Sequence, residues 1–67
     1  MNKLNKRDKE KILKALSGKK SLSMLEISHL ASKISSEKDR EEFINLMLGL
    51  KKMSIREIYQ ILERNSK

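Results

Sequence analysis

The chain has 67 residues, 16 Lys and Arg against 9 Asp and Glu for a net charge of +7, and neither cysteine nor proline. A chain this short builds a core worth only about 3–5 kcal/mol beyond the entropy it must offset, which argues against a buried active-site cavity. The missing cysteines remove disulfides, thiol chemistry and thiolate metal sites, and with one histidine any zinc would rest on carboxylates.

The first helix is predicted near residues 6–17. Asn5 and Asp8 stand in capping-box spacing: the cap oxygen takes the amide three residues on, and the acid can return to the cap's own amide. Ile12, Leu13 and Leu16 mark its apolar side, and Gly18 ends it in the left-handed conformation that glycine adopts most cheaply. At 100° per residue Arg7, Lys11 and Lys14 fall within about 60° of one another, almost opposite that side. Lys3 and Lys6 precede this basic stripe, and Lys19 and Lys20 follow it in the turn.

A second helix is predicted near 24–33, capped by Ser23 with Glu26, with Met24, Ile27, Leu30, Ala31 and Ile34 at helical period. A third, near 37–49, opens on Ser36 with Asp39. It carries Phe43, Leu46, Met47 and Leu50 on one stripe, flanked by Ile44 and Leu48, before Gly49. The fourth, near 55–65, is capped by Ser54 with Glu57 and offers Ile55, Ile58, Ile61 and Leu62. Leu22 and Met53 stand just before the serine caps, placed to staple onto Ile27 and Ile58.

Residues 6–36 laid over 37–67 without a gap share eight identities, among them Asp8/Asp39, Gly18/Gly49, Lys20/Lys51, Ser23/Ser54 and Glu26/Glu57. A 31-residue period means two copies of one supersecondary unit. The expected fold is all-α: a compact four-helix domain over residues 1–67, built from two tandem αα-hairpins, about 5–35 and 36–67.

Catalytic constellations are not evident. His29 has no second histidine or cysteine to work with, and Asp39, Glu41 and Glu42 fall in the first turns of a helix, where acids favour the macrodipole. No glycine-rich phosphate loop is present, and Phe43 and Tyr59 are too few for a base-stacking platform. The expectation is a non-enzymatic protein without metal or cofactor. No apolar run approaches the ~18 residues of a membrane span, the basic start lacks the apolar stretch of a signal peptide, and abundant charge suits water. That places the chain in the cytoplasm with no membrane partner.

Two features point to binding. Residues 1–20 hold eight of the 16 Lys and Arg with only Asp8 and Glu10, a net +6. Arg7, Lys11, Lys14, Lys19 and Lys20 form a surface that phosphates accept without any base being read, DNA more readily than RNA; a merely solubilising face, an acidic protein and an anionic lipid surface are the alternatives. A helix-turn-helix reading of residues 21–35 is resisted by the Ile27 to Ile34 spacing and by the acidic start of the next helix, Glu37 to Glu42. The second feature is apolar surplus in the second hairpin. Ala15, Ser17, Lys19, Ser28 and Ala31 are matched by Leu46, Leu48, Leu50, Tyr59 and Leu62. Either this fills a core asymmetrically, or it makes a partner-facing surface or homodimer seam with Ile44.

Residues 42–62, with Glu42, Phe43 and Ile44, then Leu46 and Met47, then Ser54, Glu57 and Ile58, resemble the helical hairpin by which Sin-type repressor and antirepressor proteins recognise each other. The turn here is about two residues shorter, and Phe43 stands for the usual tryptophan. The resemblance implies a protein-interaction hairpin of a transcriptional control circuit, with the tandem copy able to satisfy itself within one molecule. Together these features predict a regulatory protein that binds nucleic acid through the first helix. The alternative is a protein-interaction module, such as an antirepressor or small inhibitor, acting through the second hairpin.

Overall fold

A computed structural model describes residues 3–66, which contain helices α1 (Lys6–Leu16), α2 (Met24–Ala31), α3 (Glu37–Met47) and α4 (Ile55–Arg64) and no strand. The starts follow the caps. Asn5, Ser23, Ser36 and Ser54 each accept the amide at the third helical position, and at Asn5, Ser23 and Ser54 the acid returns to the cap amide. At α3 that return bond is missing, because the Asp39 carboxylate accepts instead from Arg64 Nη2 at 2.9 Å and Arg64 Nε at 3.2 Å. The ends fall one or two residues short of the predicted ones, at glycines with φ of +79° (Gly18) and +77° (Gly49) after α1 and α3.

The core draws on every helix: Ile12 from α1, Ile27, Leu30 and Ala31 from α2, Phe43 from α3, and Ile58 and Leu62 from α4. The closest backbone packing joins α2 to α3, across the boundary between the two predicted hairpins. Ile34 lies beyond the end of α2 rather than on it, yet it is fully buried. Leu22 and Met53 pack partly against the core as staples. They take the inward place that helical period had given to Met24 and Ile55, each the first residue of its helix and left exposed.

Leu4, before α1, is also fully buried, and its amide donates to the Asn65 carbonyl at 2.9 Å. Asn65 is a buried junction: its Oδ1 accepts from the Ser35 amide at 3.2 Å, while Nδ2 donates to Asp39 Oδ2 at 3.3 Å and to the Ile61 carbonyl at 2.7 Å. One end of the molecule therefore gathers the segment before α1, the α2–α3 link and the end of α4. The turns after α1 and α3 sit together elsewhere: Gly18, Lys20 and Ser21 line one cleft of about 370 Å³ with Leu46, Met47 and Gly49.

Candidate nucleic-acid interface

Helix α1 is fixed by Ile12 in the core and by Asp8, whose carboxylate caps Asn5 and accepts from Lys33 Nζ at 2.7 Å. Burial pushes the Asp8 carboxyl up, but the Lys33 hydrogen bond, the Asn5 amide and the charges of Lys33 and His29 outweigh it and hold the group below its ordinary value. That anchoring sets the orientation of the basic residues around it. Arg7, Lys14, Lys19 and Lys20 are exposed, as expected of a stripe opposite the core.

Lys11 departs from the expectation. It is half-buried and lines a cleft of about 240 Å³ between α1 and α2 with Asp8, Leu25, Glu26, His29 and Leu30. Glu26 lies below its ordinary value first through the Ser23 amide it accepts, and also through the charges of Lys11 and Lys20. The stripe thus meets α2 at Lys11, where Asp8 and Glu26 line the same cleft, and continues into the turn at Lys19 and Lys20.

Four ion pairs form among the described residues: Lys9–Glu63 at 3.6 Å, Lys33–Asp8 at 2.7 Å, Lys51–Glu42 at 3.7 Å and Arg64–Asp39 at 2.9 Å. Lys6, Arg7, Lys11, Lys14, Lys19 and Lys20 take part in none of them. Their charge is uncompensated within 4 Å by any described carboxylate, which is the condition for attracting phosphate.

Positions 31 residues further on frame a second cleft of about 610 Å³ between α3 and α4. Asp39, Glu42, Glu57, Gln60 and Ile61 stand there for Asp8, Lys11, Glu26, His29 and Leu30, and Arg64 and Asn65 close it. The Arg64 hydrogen bonds hold the Asp39 carboxyl below its ordinary value against burial, with Asn65 assisting, and Asp39 in turn raises Arg64. Its lining sets the cations Lys38 and Arg64 against the acids Asp39, Glu42 and Glu57.

The residues expected at a protein interface divide. Leu48 (43 % exposed), Leu50 (73 %) and Tyr59 (48 %) are at the surface, and Ile44 is half-buried against the core. Leu62 does not belong with them: at 1 % exposure it is a core residue, one helical turn beyond Ile58 on the inward stripe of α4. Sequence reasoning missed three exposed apolar residues, Met24 (60 %), Leu25 (83 %) and Ile55 (61 %). Leu25 was findable, since it lies out of phase with Ile27 and Leu30. Comparison with known protein families, with characterised proteins and with solved structures finds no match for this chain.

No described helix is long and apolar enough to cross a membrane, and the described residues contain no group of three or more potential metal ligands.

Proposed function

We propose that this is a small cytoplasmic regulatory protein without enzymatic activity that binds nucleic acid, duplex DNA before RNA, in transcriptional control. The observation that carries the reading is the unpaired, exposed charge of Arg7, Lys14, Lys19 and Lys20, continued by Lys11 beside Glu26. The lysines hold the phosphate backbone, and no base is read by this surface alone. About five phosphate contacts give a log–log salt slope of about −4.5, so affinity falls roughly 500-fold between 50 and 200 mM salt.

The test is anisotropy of labelled random duplex DNA at several salt concentrations, against the double variant Arg7→Glu/Lys14→Glu. Both residues are exposed and outside every ion pair, so the variant keeps its fold while binding is lost. Affinity that is unchanged in the variant, or insensitive to salt, sinks the reading.

A second reading, a protein-interaction module of the kind the Sin-type resemblance implies, is favoured by the exposure of Leu48, Leu50 and Tyr59. There Leu48→Glu keeps a folded monomer and removes partner capture.

A further inference from the structure

Five of the large apolar side chains left exposed, Met24, Leu25, Leu48, Leu50 and Ile55, belong to the two turns or to the first residues of the helices that follow them. The two turns line one cleft, where Leu48 and Leu50 flank the lining Gly49, while Leu25 lines the cleft between α1 and α2. Lys19, Lys20, Lys51 and Lys52 belong to the same turns, and all four are exposed. Scattered exposed leucines need no explanation, but a gathering of them among lysines marks an interaction surface.

We infer that this turn end docks an acidic amphipathic segment of a partner protein, its apolar side chains against Leu48 and Leu50 and its carboxylates on Lys19, Lys20 and Lys52. Charge complementarity selects the occupant. A second copy of this chain would bring two lysine-rich ends face to face within a dimer of net charge +14, twice the +7 of one chain, which costs association free energy. Nucleic acid satisfies the lysines but leaves the leucines in water. Of the four lysines only Lys51 forms an ion pair with a described residue, Glu42 at 3.7 Å; Glu26, which accepts from the Ser23 amide, also lies in the field of Lys20, and Glu57 accepts from the Ser54 amide. An incoming acid therefore meets least competition at Lys19 and Lys52. The cleft between the turns adds the half-buried Leu16, Leu22 and Met47, where one apolar side chain of the segment fits.

Lys19 and Lys20 belong to both surfaces, so a docked acidic segment excludes nucleic acid. That exclusion rests on the nucleic-acid reading; the docking does not.

The probes are two labelled peptides of identical composition. In one, leucines stand at i, i+3, i+4 and i+7 with glutamates elsewhere; in the other the same residues are scrambled so that no face is apolar. The patterned peptide binds about tenfold more tightly than the scrambled one. The double variant Leu48→Ser/Leu50→Ser, with unchanged circular dichroism and thermal midpoint, erases that difference. Arg7→Glu/Lys14→Glu leaves it in place. Amide chemical-shift changes cluster at residues 17–25 and 48–56. Equal binding of the two peptides means a plain polyanion effect and overturns the proposal, as does a preference that survives loss of both leucines. Leucine-dependent binding to phosphatidylglycerol vesicles with no binding of either peptide assigns the surface to lipid and also overturns it. Duplex DNA is titrated separately, so loss of DNA binding alone refutes the nucleic-acid reading and leaves docking standing. In a mixture, the patterned peptide displaces bound DNA at about a tenth of the concentration of the scrambled one.

Discussion

The α1/α2 cleft and the α3/α4 cleft are framed by positions 31 residues apart, yet Lys11 and His29 line the first where Glu42 and Gln60 line the second. In the second half, Glu42 meets Lys51 and Asp39 meets Arg64, so two of the three acids lining the cleft are paired. In the first half one acid, Asp8, is taken by Lys33, and Lys9 reaches Glu63 of α4, while Lys6, Arg7, Lys11, Lys14, Lys19 and Lys20 have no described carboxylate within 4 Å. The same helical frame thus serves one half as closed structure and the other as charged surface. The difference lies in a few side chains, since helix starts, caps and glycine turns keep the same spacing in both halves.

The two buried aspartates offer the strongest way to break this comparison. Lys33 and Asp8 expose only 14 % and 9 % of their side chains, so Asp8→Ala leaves an ammonium largely cut off from water and also removes the return bond of a capping box. Stranding one partner of a buried pair costs about 3 kcal/mol. Arg64 is 57 % exposed and can rehydrate when Asp39 is removed, and Asn65 keeps its bond to the Ile61 carbonyl, so Asp39→Ala costs about 1–2 kcal/mol. Urea unfolding of the two variants checks the order. Equal losses, or a larger one for Asp39, would mean that the two halves are anchored alike.

Lowering the pH acts on both aspartates at once, with a smaller effect. Each is held below its ordinary value of 3.8 in the folded protein, so between the folded and unfolded values the unfolded chain binds more protons. Stability therefore rises with pH through that window; it is fully present above about pH 4 and is lost as pH falls through the folded values. The expected thermal midpoint is level from pH 7 to about 5 and drops below 4. The pair Asp8→Asn/Asp39→Asn starts from a lower midpoint and has a shallower acid limb. A limb as steep as in the parent chain would place the acid sensitivity on other carboxylates.

The parts of this architecture legible in the sequence are local ones. Caps at Asn5, Ser23, Ser36 and Ser54 act over three residues, and Gly18 and Gly49 act on their own backbone, so pattern alone locates the helices. What pattern could not supply depends on distant neighbours. Asp39 gives up its return bond to a guanidinium 25 residues away, and Leu4, outside every predicted helix, and Asn65, at the very end of one, become buried through contacts between distant parts of the chain. Helical period placed Met24 and Ile55 on inward stripes, but a staple residue before each cap already fills that space. Leu62 looked surplus because Ala31 stands 31 residues earlier, yet both are buried; a difference in size between matched positions does not say which way they face. The basic stripe was legible except at Lys11, whose contact with the α2 side depends on how the helices cross.

The finest test of the comparison uses the glycines, where the halves are most alike. Gly18 and Gly49 have φ of +79° and +77°, and a methyl group added at either would meet nothing within 4 Å. Space is therefore no obstacle, and each replacement by alanine is opposed only by the left-handed backbone, a cost of about 1 kcal/mol that alanine's lower unfolded-state entropy partly offsets. The two variants should lower stability by the same small amount, read as matched shifts of the urea midpoint with an unchanged slope. Their binding consequences should differ. Gly18 sits between the last turn of α1 and Lys19, so strain there disturbs the cations assigned to phosphate, whereas Gly49 sits between Leu48 and Leu50. Gly18→Ala weakens DNA binding several-fold while Gly49→Ala leaves it within error. Equal weakening would mean that both turns meet the nucleic acid and that the division of labour between the halves is wrong.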